Sequence, residues 1–127
     1  MKKIIIVILL FLIGCTNYLN NIKQVDTRVQ NIEDSTVIWV KTKHIDCLVP
    51  AISTHKYSDY TNCMLKPSLI AGSVDAQLKV VRATEKSYVE KAIEVLNKRA
   101  SKQEITKLDL QLKAELNKLE LVFKEVK

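Results

Sequence analysis

Glycine, proline and histidine are scarce in this chain, two of each in 127 residues, and each scarcity removes a class of chemistry. The glycines, Gly14 and Gly72, are isolated and cannot build a phosphate-cradling loop. No Ser/His/Asp arrangement is legible around His44 or His55, the only imidazoles. Carboxylates lie among lysines, the pattern of a solvated face and not of a tuned acid/base pair. The reading is non-catalytic, with no small-molecule substrate evident. A dense basic cluster is also missing. The 20 Lys/Arg and 14 Asp/Glu give a net charge of +6, but the excess is spread evenly. Nucleic-acid binding needs a basic stripe, and none is present. Long apolar runs are missing too. The longest, Ile4 to Ile13, rises about 15 Å as a helix, half the hydrocarbon thickness of a bilayer.

What is present begins at that run. Lys2 and Lys3 precede it and Leu12-Ile13-Gly14-Cys15 closes it. A charged start followed by a short apolar stretch has the form of a secretory signal. An ordinary signal would carry small residues at both the third and the last position before cleavage, where this chain has Leu12 and Gly14. The tetrapeptide resembles the lipobox of bacterial lipoproteins, and the resemblance covers the first fifteen residues only. It implies that residues 1–14 are removed and that Cys15 carries diacylglycerol on its sulfur and an N-acyl chain such as palmitate on its amine. Several acyl chains hold a protein at a membrane stably where one does not. Thr16 follows the cysteine where aspartate signals inner-membrane retention, so the resemblance implies the periplasmic face of the outer membrane of a Gram-negative host. No other cofactor is expected. The mature chain, residues 15–127, has 18 basic and 14 acidic side chains, a charge of +4. Its length suits one small domain.

Cys47 and Cys63 remain. An even pair in an exported chain points to a disulfide, and closing a loop of that size stabilises by about 3 kcal/mol. A rival reading uses His44, Cys47, His55 and Cys63 as metal ligands, with Asp46 and Asp59 nearby. His44 and Cys47 could share a helical face, but the other spacings match no zinc pattern.

Apolar periodicity supplies the architecture. Tyr18, Ile22, Val25, Val29 and Ile32 recur in steps of four and three, a short coiled-coil-like stripe over 18–32. It suits either packing within its own domain or self-association as a membrane-proximal stalk. Glu33-Asp34-Ser35 interrupts it, and Ser35 can cap a second helix over 35–49. The β-branched opening of that segment would suit a strand, but no second strand is there to pair with it. As a helix it places Ile38, Ile45, Leu48, Val49 and Ile52 on one face, with Trp39, the sole tryptophan, as a core residue. Residues 50–72 hold Pro50, Pro67, Gly72 and most of the Ser/Thr/Asn density, and read as a disulfide-stapled loop. Tyr57 and Tyr60 form a candidate contact patch there.

The pattern after Ser73 is plain, with no glycine or proline to Lys127. Ser73 can cap a helix over 73–99 that carries Val74, Leu78, Val81, Tyr88, Val89, Ala92, Ile93 and Leu96. Ser101 and Glu104 match a capping box that opens a helix over 101–126. Its stripe is Ile105, Leu108, Leu112, Leu116, Leu119, Phe123 and Val126. Leu110 and Leu121 lie off that stripe, a candidate partner surface. Glu94–Lys98, Asp109–Lys113 and Glu120–Lys124 are acid-first pairs four apart. The fold class expected is all-α, a three- to four-helix bundle with a C-terminal antiparallel αα-hairpin. The function expected is an envelope interaction or structural module bound to another envelope protein or to itself. Two alternatives are an exclusion lipoprotein encoded by a phage or plasmid, and a periplasmic metal-binding protein.

Overall fold

A computed structural model describes the backbone of residues 2–126 and the side chains of residues 17–126. Three helices account for it: α1 (Lys2–Thr54), α2 (Tyr57–Leu96) and α3 (Lys102–Phe123). No strand occurs among the described residues, and the fold is all-α with bundle-like packing between helices. The Leu12–Cys15 tetrapeptide, with the lipid site expected at Cys15, lies outside the residues whose side chains are described. Among the described residues, no helix is long and apolar enough to cross a membrane.

The N-terminal half differs from the expected pair of short helices. Glu33-Asp34-Ser35 does not break the chain, and α1 runs on to Thr54. Glu33 and Asp34 of the interruption, and Thr36 just beyond it, are used within the helical fold. Glu33 accepts from Arg82 of α2. Asp34 accepts from Gln30 Nε2 one turn earlier, at 3.0 Å. Thr36 returns its hydroxyl to the Ile32 carbonyl at 2.7 Å.

The expected loop over 50–72 is likewise a helix–turn–helix, with only His55 and Lys56 between α1 and α2. Pro50 and Pro67 sit inside helices, where each lacks a donor for the carbonyl four residues back. The serines and threonines that suggested a turn instead satisfy their own helices. Ser53 donates to the Val49 carbonyl at 3.1 Å, and Ser73 to Leu69 at 3.0 Å. Ser73 is thus mid-helix and not a cap.

Both turns end a helix in the same way. Lys56 N–H reaches the Ala51 carbonyl and His55 N–H that of Ile52, each at 3.2 Å. Arg99 and Lys98 repeat the pair onto Glu94 and Val95, at 2.8 and 3.0 Å. This is the Schellman arrangement, whose pivot residue is left-handed and commonly glycine. Here the pivots are His55 (φ 56°) and Lys98 (φ 58°). With Lys98 beyond the helix, Glu94 pairs with Lys91 instead, at 2.7 Å. α3 starts where expected, the Glu104 carboxylate accepting the Ser101 N–H at 2.9 Å.

The core joins the buried faces of all three helices: Val29 and Ile32 from α1, Val74, Val81 and Tyr88 from α2, and Ile105, Leu112, Leu116 and Leu119 from α3. Tyr18, Ile22, Val25 and Trp39 pack against it. The stripe over 18–32 therefore packs within the chain, with Val29 and Ile32 buried and Tyr18, Ile22 and Val25 partly so. Val89 and Ile93, read as core, are exposed. α2 runs back along α1, with Arg82 meeting Asp26 and Asn21 meeting Tyr88. α3 lies along the C-terminal half of α2, where Lys91 is 3.9 Å from Glu104 and Gln77 donates to the Glu115 carbonyl at 3.2 Å. Val126 is buried beside Trp39 and Phe123. The ends of α1 and α2 nearest the first turn continue past that point as a pair.

Candidate functional site

That projecting pair is held by the Cys47–Cys63 disulfide, with Cα atoms 5.6 Å apart. Cys47 is buried and Ala51 lies beside it, one turn closer to the tip. Around the bond, His44 Nδ1 and the Tyr60 hydroxyl are 2.8 Å apart, their rings edge to face at 5.5 Å. Tyr57 leans on Tyr60 at 5.7 Å and is 77% exposed. At the turn, the Thr54 hydroxyl donates to the Asp59 carboxylate at 2.8 Å, tying the end of α1 to the start of α2. The expected tyrosine patch is present, but one ring braces the histidine and only the other is fully offered to solvent.

The rival metal set is not assembled. Cys47 and Cys63 spend their sulfurs on each other, and His44 spends a ring nitrogen on Tyr60. Among the described residues no group of three or more His, Cys, Asp or Glu could hold a metal ion.

Further down the pair lies a cluster that sequence reasoning missed. The Arg82 guanidinium meets Asp26 at 2.5 Å, Glu85 at 3.0 Å and Glu33 through two nitrogens at 3.2 and 3.3 Å. Hydrogen bonding to Glu33 is the main reason its pKa rises further above the ordinary arginine value. Burial pushes the Glu85 carboxyl up, and Arg82 only partly offsets it. Glu85 Oε1 has no hydrogen-bond partner. The only sequence signal was Asp26 and Glu33 seven apart on one helical line, opposite an arginine inside an apolar stripe. The cluster closes one end of an open groove of about 560 Å³ lined by Gln30, Val37, Ala71, Asp75 and Lys79. With its charges already paired, this cluster clamps α1 to α2. Arg28 on α1 similarly takes Glu120 of α3, which draws that carboxylate away from Lys124.

The apolar face expected over 38–52 exists, but it points outward. Ile38 is 65% exposed, Ile45 59%, Val49 59% and Ile52 62%, with Leu48 partly open beside them. One residue later in phase than Ile38, Trp39 packs on the core. Leu110 and Leu121 are exposed as expected. Eleven residues apart, they share one line of α3 about 16 Å long. The structure does not bring them together with Tyr57 and Tyr60, which stand on the stapled tip. No family model matches the chain, and neither a curated protein nor a solved structure matches it.

Proposed function

We propose that this protein is a lipid-anchored, non-catalytic interaction module of the bacterial envelope that presents the stapled tip of a long helical pair away from the membrane. The observation that carries this reading is the geometry of α1. From Asn17 to Thr54 the helix is continuous, which sets the tip about 55 Å from the start of the described side chains. The lipobox-like tetrapeptide places the anchor at one end of that span, at Cys15. At the other end, a disulfide and a Schellman turn fix a short two-helix projection carrying exposed Ile45, Val49, Ile52, Tyr57 and Leu65. A rigid projection with exposed apolar side chains is what a docking element requires: ordering costs are met in advance, so contact area converts more fully into affinity.

The test separates anchor from tip. In the producing host, Cys15→Ala moves the protein from the membrane to the soluble fraction. A photo-crosslinking residue at position 57 or 65 of the anchored protein captures a defined partner. Retention of the Cys15→Ala variant in the membrane refutes the anchor. Absence of any adduct from the tip refutes the docking role.

A further inference from the structure

We infer that α1 carries a second, outward seam on which another copy of this chain docks in parallel, through Ile38, Ile45 and Ile52. The inference rests on the interaction reading above and names its partner. The three isoleucines are spaced seven apart on one uninterrupted helix, and each is more than half exposed. Seven-residue spacing keeps a line of side chains facing a neighbouring helix over its full length. Leu48 occupies the intervening position of the second heptad and Val49 flanks it. β-Branched residues at the first position with leucine at the fourth favour two parallel strands. Lys41 takes the corresponding place in the first heptad, where its stem can cover apolar surface while its ammonium stays in water.

Two further observations select a second copy. The seam lies on the side of α1 turned away from Cys47 and its bond to α2, since residues two before and two after Cys47 point about 160° from it. α2 therefore does not obstruct an approaching helix, and at the body end the seam begins beside the end of α3, where Ile38 lines a shallow groove with Phe123 and Val126. The five exposed side chains Ile38, Ile45, Leu48, Val49 and Ile52 offer about 500 Å² per copy, or about 1,000 Å² in a pair, the area a specific interface has to clear. Two chains tethered at the same end of α1 to one membrane already run parallel, and tethering raises their effective concentration. An in-register pairing sets each isoleucine against its counterpart.

Single-cysteine crosslinking of the full chain in its native membrane tests this. Ile38→Cys, Ile45→Cys and Ile52→Cys each add one thiol beside the closed Cys47–Cys63 bond, and mild oxidation links thiols that meet across the pair. The expected result is a disulfide-linked dimer from all three, at least tenfold above wild type, with Leu110→Cys at the wild-type level. Adding Ile45→Lys to Ile38→Cys lowers its dimer yield at least tenfold while leaving helicity unchanged. A dimer from position 45 alone signifies antiparallel pairing and overturns the proposal, as does its absence from all three positions. A photo-crosslinker at position 45 that captures a different envelope protein or lipid also overturns it. In that protein-capture case the docking role survives, whereas no adduct from 45, 57 or 65 defeats both.

Discussion

Arg82 and Glu33 meet through two nitrogens and two oxygens, at 3.2 and 3.3 Å, and fix the angle at which α2 lies on α1. Two parallel hydrogen bonds fix orientation as well as distance, which a single ammonium contact would not. Asp26 and Glu85 complete the ring around the same guanidinium. Replacing Arg82 with methionine keeps the stem but leaves three carboxylates facing each other. The expected loss is about 2 kcal/mol, below the figure for a fully buried pair because the arginine is partly solvated. A fall in the guanidinium chloride midpoint checks it; no measurable change would show the ring to be ornamental to stability.

Glu85 gives the same cluster a pH signature. Its carboxyl titrates above the ordinary carboxylate range, chiefly because it is buried. A raised folded-state pKa means that the folded protein holds this proton more tightly than the unfolded chain does. This group therefore adds stability as pH falls from neutral through its raised pKa, and the gain levels off below the ordinary range. Glu85→Gln removes the titration and keeps the shape. At pH 7 the variant is as stable as wild type or more so, and the difference between them shrinks on going to pH 4. Chemical denaturation of both proteins across that interval decides the matter. A difference that grows toward low pH would contradict it.

Gly72 sits within α2, and a Cβ built on it meets nothing within 4 Å. Helix propensity then acts alone, so Gly72→Ala stabilises by about 1 kcal/mol. A rise in thermal midpoint with unchanged spectra is the expected reading; a fall would mean that another molecule fits against that backbone.

The two left-handed pivots make the opposite case. His55 and Lys98 adopt φ of 56° and 58°, where a side chain costs about 1–2 kcal/mol relative to glycine. His55→Gly and Lys98→Gly each stabilise by about 1 kcal/mol, less the extra freedom that glycine gives the unfolded chain. Because the pivots belong to different turns, the gains add in the double variant. Differential scanning calorimetry of the singles and the double measures both points, and a loss in either single contradicts the strain argument.

Removing the disulfide as Cys47→Ala/Cys63→Ala costs about 3 kcal/mol. The effect is local as well as global. Hydrogen exchange speeds up most between Pro50 and Leu69, where α3 gives no support, and least around Tyr88 in the three-helix core. Uniform acceleration along the chain would show that tip and core unfold as one.

Fold class was legible because apolar spacing of three and four is hard to read otherwise, and the stripes of α2 and α3 were largely correct down to Val74, Val81, Leu112 and Leu119. The breaks between helices were not legible. Glycine and proline are the usual punctuation, yet here Gly72, Pro50 and Pro67 lie inside helices while His55 and Lys98 make the turns. Ser53 and Ser73 misled for a related reason: a hydroxyl that could cap a helix can equally bond the carbonyl one turn back. Which face of α1 would be covered was also hidden. Ile32 and Ile45 lie about 140° apart around one helix, and sequence periodicity flags both without saying which one α2 and α3 reach. The Arg82 cluster depended on a pairing between residues 26, 33 and 82 that no local pattern specifies.

Because the projecting tip is built from α1 and α2 together, its height above the three-helix body is a quantised quantity. Inserting residues in one helix alone would rotate the cysteines off register, by 100° for each residue added. Only matched insertions restore both the facing of Cys47 to Cys63 and the outward line of isoleucines. Seven residues in each helix are the smallest insertion that comes within about 20° of this, lengthening the rod by about 10.5 Å. Chains of this architecture should therefore differ in reach by such steps and not by single residues.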